Sequence, residues 1–493
     1  MQRCGCFVTS RELLAVCLVG LPLATTVLLL VVPRRFAWAI ALGAAGPTSA
    51  LAVTLGALVL RRPGAPSVGD WFVADAAGAL LVVVVGVVGL ASVLVSPSYL
   101  VSSYSSLVGP ERRDKTYYAT FYIFWAVLLA VPLAGNLGLA WLLVEATTAA
   151  SALLVGFSGG SRALEAGWKY LILTSLGLGV ALLGIVVLAA GVPGGGIGAL
   201  SWRALGSYAS GHDRALVAYL LVLAGLAAKI GWAPVHNWLP DAHSEAPPPV
   251  SAMLSAALLP AVLLVAWRSE HSLAPVVGAH TAETVLVSFG LVSLAVAVPF
   301  LWRSLPWKRL LAYSSLEHMG VIAIGIGFAT PLALAGVGVH IAAHAVAKAL
   351  GFYAATPLIG HDERASHEPV AGIARTRPAL GATMGVSLGA LAGLPPSPLF
   401  VSEVLIIAGG FQAGRPWAAA ATALLLALGF LGLMHALLET TTGDAPSRGR
   451  RAPGLRGVVV LAGVSVAVLL ALTAAAAMLP GSDIVDALLR GTS

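Results

Sequence analysis

Charge is what this sequence has least of: Asp, Glu, Lys and Arg make up 10% of its 493 residues, against about 25% in a soluble globular chain. Too few are present to clothe a water-facing surface. Cysteine is scarcer still, with three in all at Cys4, Cys6 and Cys17, so a four-thiolate iron–sulfur or zinc centre cannot be assembled from this chain. Long polar stretches are missing too. The largest, near 191–214, 359–378 and 440–456, are loop-sized, which excludes a Rossmann or phosphate-loop domain. Any energy the protein uses must come from a gradient or a partner.

What is there is apolar, 58% of the chain. At about 20 residues per crossing, fourteen crossings use about 280 residues, and the composition supplies them. Apolar stretches bounded by charge or proline predict helices near 13–32, 36–60, 75–96, 116–134, 136–157, 168–191, 214–232, 249–267, 284–302, 308–327, 331–358, 379–411, 416–438 and 457–479. These segments are too long and too uniformly apolar for barrel strands, so the expected class is an all-α polytopic membrane protein. The stretch from Leu13 to Val32 follows Arg3 and Arg11 as a signal peptide would, but its length and the second span behind it make it the first transmembrane helix.

The formal charge of +7 does not point to nucleic acid, because the basic residues fall in short loops where they act as topology signals. Arg34, Arg35, Arg112, Arg113, Lys115, Arg303, Lys308, Arg309, Arg364, Arg375, Arg377, Arg448, Arg450, Arg451 and Arg456 lie on one side of the fourteen-pass layout. That side is expected to be cytoplasmic, with both termini outside, in the cell inner (plasma) membrane. Arg61, Arg62, Arg203, Arg214 and Arg268 lie opposite.

A charge at bilayer depth costs at least about 2.5–3.5 kcal/mol on insertion scales, so intramembrane ionisable groups are read first as functional. Glu145, Lys229, Lys348 and Glu403 fall within predicted spans, accompanied by His318, His340 and His344. His340, His344 and Lys348 are spaced i, i+4 and i+8, which puts them on one helical face, rising about 6 Å per step. Imidazole suits proton hopping because it titrates near neutrality and offers both a donor and an acceptor. The plain alternative for these groups is fixed interhelical pairing.

Lys229 is followed by Gly231 and Pro234, and Glu403 is preceded by Pro395, Pro396 and Pro398. Both helices are expected to break there, exposing backbone groups where ion-coupled transporters place their sites; a kink that only shapes packing is the alternative. Lys169 is expected to snorkel from the start of its helix, Lys308 and Arg309 to anchor the cytoplasmic side, and Asp75 to cap a helix. Glu317 either tunes His318 or sits half-exposed. Asp241, His243 and Glu245 have metal-like spacing, but no fourth ligand is evident, and the APPPV run favours a turn re-entering the bilayer. No metal or other cofactor is expected.

The string WAPVHNWLPDAHSEAPPPVSAMLSAALL resembles the signature of the antiporter-like subunits of respiratory complex I, of multisubunit sodium/proton antiporters and of group 4 membrane-bound hydrogenases; KRLLAYSSLEHMGVIAIGIG and HIAAHAVAKALGFYAA are similar to two further segments. The resemblance spans roughly 75–435. It implies fourteen helices with two inverted five-helix repeats, each containing a broken helix, and a polar axis along the membrane centre. On this sequence that gives N-terminal helices over 1–115, a first repeat over 116–267, a second over 268–411 and C-terminal helices over 412–493.

By position, Glu145 and Lys229 match the family's glutamate–lysine pair, Lys348 its central lysine and Glu403 the terminal ionisable residue; His236, His318, His340 and His344 match polar positions along or beside the axis. One departure is Pro260, where the complex I subunit M-like proteins carry a lysine. With AYSSLEHMG, this resembles component F of hydrogenase 4 and formate hydrogenlyase-type relatives, with complex I subunits M and N and sodium/proton antiporter subunits as alternatives. The resemblance implies a non-catalytic, ion-translocating subunit of an oxidoreductase complex. Its partners are other membrane subunits, a peripheral redox arm, and protons or Na+. A direct Glu145–Lys229 ion pair is the expected switch.

Overall fold

A computed structural model describes residues 10–61, 67–68, 71–102, 113–191, 197–208, 211–358, 368–443 and 455–478. The chain opens with α1 (Ser10–Val31), α2 (Ala37–Arg61) and α3 (Ala76–Ser102), the last two separated by a two-residue antiparallel hairpin, β1 (Ser67–Val68) with β2 (Phe72–Val73). Then come α4 (Arg113–Ala130), α5 (Leu137–Val155), α6 (Ser161–Gly191), the one-turn α7 (Trp202–Leu205), α8 (His212–Ile230) and the short α9 (Trp238–Glu245). Next, α10 (Pro248–Met253) runs through a π-turn (Leu254–Leu258) into α11 (Leu259–Val277). The second half holds α12 (Ala279–Leu301), α13 (Trp307–Phe328), α14 (Pro331–Ala355), the one-turn α15 (Ile373–Thr376), α16 (Pro378–Leu391), α17 (Pro398–Gln412), α18 (Pro416–Thr442) and α19 (Leu455–Met478).

Twelve continuous helices among the described residues are long and apolar enough to cross a membrane. The interrupted pairs α8/α9 and α16/α17 complete the fourteen crossings read from the sequence. Two runs of five have the same order: α4, α5, α6, broken α8/α9 and α10–α11, then α12, α13, α14, broken α16/α17 and α18, so that counting five elements carries the second run past the bound of 411 read from the sequence. Five is odd, so the second run enters the bilayer from the opposite face, and like elements of the two runs are inverted.

Local chemistry sets the ends. Asn136 accepts a hydrogen bond from Leu139 N at 2.7 Å and starts α5, and proline occupies the first turn of α14, α16, α17 and α18. Gly231, with φ +80°, closes α8 in the left-handed conformation that glycine adopts without steric cost. Gly393, with φ +72°, lies just beyond the end of α16.

Packing in lipid favours small residues that let backbones approach. A Cβ on Gly225 of α8 would lie 2.4 Å from Gly177 O of α6, and one on Gly290 of α12 would lie 2.6 Å from Gly320 O of α13. The centre of the bundle is α10–α11 and α13, buried along their length.

Two expectations about charge placement change, and a third gains a partner. Arg268 is not a loop residue: it lies within α11, 2% exposed, and donates to Asp75 Oδ2 at 2.8 Å and to Pro132 O at 2.8 Å. Asp75 does cap α3, accepting from Gly78 N at 2.6 Å, but its other oxygen neutralises Arg268. Lys308 is buried too, and donates to Ala246 O at 2.9 Å, tying α13 to the end of α9.

Candidate functional site

The broken helices carry the site. Lys229 sits in the last turn of α8, fully buried, and its ammonium donates to Thr148 Oγ1 of α5 at 2.7 Å and to the Tyr170 hydroxyl of α6. Tyr170 in turn shares a 2.7 Å hydrogen bond with Ser151 Oγ. The Trp238 ring of α9 lies tilted against that of Tyr170, with centroids 4.7 Å apart, and its indole donates to Ala228 O at 2.6 Å, pinning the second piece of the broken helix to the first.

Glu145 lies one turn before Thr148 on α5 and is half-buried. Its Oε1 accepts from Ser175 Oγ at 2.6 Å, and its Oε2 has no hydrogen-bond partner. The expected direct ion pair is therefore not made: lysine and glutamate each hold neutral hydroxyls instead. Hydroxyl oxygens solvate an ammonium without fixing its charge to one carboxylate, so either group can change partner at modest cost.

In the second half Lys348 of α14 is fully buried and donates to Leu311 O at 2.5 Å and to Ser314 Oγ, both on α13. One and two turns earlier on α14 lie His344 and His340. His340 Nε2 and His318 Nδ1 of α13 share a hydrogen bond of 3.1 Å, while His340 Nδ1 contacts Ser402 Oγ of α17 at 2.9 Å. The His318 and His344 rings are 5.2 Å apart between centroids. His318 Nε2 and both nitrogens of His344 are buried without a hydrogen-bond partner. Glu403, half-buried on α17, lays its carboxylate against the break: a Cβ on Gly393 would be 2.7 Å from Glu403 Oε2.

Gly231, Pro234, Pro395, Pro396 and Pro398 all fall at or beside the two interruptions, with Pro398 starting α17. His236 does not join these clusters through any described hydrogen bond; it lies half-exposed in the first break, and its Nδ1 is unpartnered.

Several polar residues here were not singled out as site members. His243 is fully buried and stacks on Phe352, one turn beyond Lys348, with centroids 5.2 Å apart; it lies on a short helix rather than the expected turn. Asp241, from the same helix, instead faces outward and meets Lys169 at 3.4 Å and Arg309 at 3.3 Å. Glu317 is buried at 2% exposure rather than half-exposed. Lys169 lies two turns inside α6 rather than at its start, exposed and paired with Glu165 at 2.7 Å. Near Pro260, where the lysine is missing, Ser255 of the π-turn and Ser315 share a 2.8 Å hydrogen bond between α11's leading turn and α13. The hydroxyls could have been found by helical spacing, since Thr148 follows Glu145, and Ser151 follows Thr148, at i+3 on α5.

Residues 134–429 match the family described as NADH:quinone oxidoreductase/Mrp antiporter, TM. The chain is 32% identical to the hydrogenase-4 component F homolog of Methylacidiphilum infernorum over 76% of this chain and 80% of that protein. Among solved structures it is similar to a chain of the membrane-bound sulfane sulfur reductase, an archaeal respiratory membrane complex, with TM-score 0.81, 20% identity and 97% of both chains covered. A chain of respiratory complex I from Thermus thermophilus overlays with TM-score 0.76 and 22% identity, covering 96% of this chain and 98% of that one. At these identities the overlays speak to the fold.

Proposed function

Because this chain belongs to the NADH:quinone oxidoreductase/Mrp antiporter transmembrane family, we propose that it moves protons as an antiporter-like membrane subunit of a redox-driven assembly in the cell inner (plasma) membrane. A hydrogenase 4 or formate hydrogenlyase-type complex fits best, in keeping with the hydrogenase-4 component F homolog it resembles. The observation that carries this is the repetition of one motif: a fully buried lysine held by neutral hydroxyl or carbonyl oxygens in each inverted half.

Both lysines are withdrawn from water, and neither has a carboxylate in salt-bridge contact among the described residues. Their charge states are therefore sensitive to any carboxylate that moves close. Glu145 has a resting partner in Ser175 and lies one turn from the hydroxyl that holds Lys229. In this reading a change in a neighbouring subunit moves Glu145 between Ser175 and Lys229. Lys229 holds its proton while the glutamate is near and passes it on when the glutamate leaves. Lys348 receives the proton, the His318–His340–His344 cluster carries it across α13 and α14, and Glu403 exchanges it at the second break. Moving one charge against 100 mV costs about 2.3 kcal/mol, which the redox partner supplies.

The test is Lys229→Met in the intact complex, measured in sealed vesicles. Proton translocation is expected to stop while the partner's electron transfer partly survives; an unchanged proton-to-electron ratio overturns the proposal. A gradient-driven sodium/proton exchanger is the second reading, favoured by the Mrp antiporter part of the family description. Imidazole nitrogens dominate the second cluster, whereas a hard cation prefers cages of oxygen. Sodium-dependent proton flux in vesicles lacking the electron donor would select the exchanger.

A further inference from the structure

The geometry points to a divalent transition-metal site of the zinc or cobalt kind at the second broken helix, formed by His318, His340 and Glu403. One potential ligand atom from each of the three lies within 4.8 Å of the others. The three side chains come from three helices, α13, α14 and α17, so their convergence is a product of packing rather than of local spacing.

Two imidazole nitrogens and a carboxylate oxygen are a donor set that zinc accepts, leaving a fourth position open. With metal–ligand distances of about 2.0–2.1 Å, adjacent donors of a tetrahedral site lie about 3.4 Å apart. His318 Nδ1 and His340 Nε2 are already 3.1 Å apart, so a metal ion that displaces the proton they share asks both rings to tilt toward a common apex but hardly changes their separation. The hydrogen bond between His340 Nδ1 and Ser402 Oγ, 2.9 Å, orients the ring and leaves Nε2 to face the ion.

An independent feature points to the same place. His344 is fully buried, its ring is 5.2 Å from that of His318, and neither of its nitrogens has a partner. It stands beside the three ligand groups rather than among them, so its unpaired nitrogens add a buried polar wall to the same place. The way in is the helix break itself, where Leu394 is 41% exposed and Pro395 and Pro396 are exposed beside the half-buried Glu403. Sodium is not the expected guest, because nitrogen donors favour softer ions.

Binding depends only on this geometry. Its consequence, arrest of proton transfer, rests on the relay proposed above, because a bound ion occupies the lone pairs the relay uses.

The probe is Co2+, added to the intact complex washed with a mild chelator in gentle detergent and followed by the ligand-field absorption gained on addition, with Zn2+ stoichiometry by elemental analysis. One ion more per chain is expected in the wild type than in Glu403→Gln, a variant of nearly unchanged side-chain volume. His318→Gln and His340→Gln are expected to weaken binding by about 100-fold or more, and Ser402→Ala by about 10–100-fold, the usual cost of losing an outer partner. Exposed His435→Gln leaves binding unchanged. Equal cobalt binding in wild type, H318Q and E403Q overturns the site. Lys229→Met separates the two proposals: cobalt binding in K229M with pumping intact keeps the metal site and removes the relay, whereas lost pumping without wild-type cobalt binding does the reverse.

Discussion

His318 Nδ1 and His340 Nε2 face each other across α13 and α14 at 3.1 Å. Two neutral imidazoles at this distance hold one proton between them, so the tautomer of one ring dictates that of the other. His340 passes the constraint on, since its second nitrogen meets Ser402 on α17. Three helices, α13, α14 and α17, are thereby joined through one ring.

His340→Gln keeps a polar side chain but has no second ring nitrogen to hand a proton onward. Proton translocation in vesicles is expected to fall by about 100-fold, the lower end of the range for loss of a positioned proton-transfer group, while the complex still assembles. A pH-sensitive dye trapped in the vesicle lumen reads the rate, and wild-type flux in H340Q would remove His340 from the path.

Ser175 holds Glu145 away from Lys229 through a 2.6 Å hydrogen bond to Oε1. A hydrogen bond to a charged group contributes about 1.5–3 kcal/mol, so Ser175→Ala is expected to release Glu145 and shift it about tenfold or more toward Lys229. Difference infrared spectroscopy in the carboxylate region checks this, with Glu145→Gln identifying the band. An identical carboxylate band in S175A would show that the serine does not restrain the switch.

Asp75 and Arg268 join α3 to α11 as a buried pair at 2.8 Å, with side chains 8% and 2% exposed. Removing one partner strands a charge, so Arg268→Met is expected to lower stability by about 3–5 kcal/mol. The double replacement D75N/R268M is expected to recover much of that loss, because no uncompensated charge remains. Thermal unfolding in detergent compares the three proteins.

Gly225 lets α8 lie against α6 at the level of the lysine site, and a Cβ there would approach Gly177 O to 2.4 Å. Gly225→Leu is expected to force the helices apart at a cost of about 1–3 kcal/mol and to loosen the Lys229–Thr148 contact. The signature is loss of translocation greater than the loss of folded protein, with Gly→Ala at exposed Gly43 as the silent control.

The broken helices were legible because a lysine followed by Gly231 and Pro234, and the Pro395–Pro396–Pro398 cluster, interrupt backbone hydrogen bonding whatever surrounds them. The α14 ladder was legible for the same reason: helical spacing aligns His340, His344 and Lys348 before any partner is known. Arg268 and Lys308 were misplaced because a cation near a helix end reads as a loop anchor until its neighbour is seen. Glu317 could not be oriented for a related reason, since a helix flanked on all sides gives no polar face to mark its rotation.

From its residues alone this chain determined that it crosses the bilayer about fourteen times, where two crossings break, and which ionisable groups enter the apolar interior. Each of these follows from hydropathy, proline and helical repeat over a few turns. Only the tertiary structure decided that Lys229 meets Thr148 and Tyr170 instead of Glu145, and that His318, His340 and Glu403 converge. Helix rotation and depth are set by how the glycine and alanine faces pack against neighbours far away in the chain, and no local pattern encodes that distance.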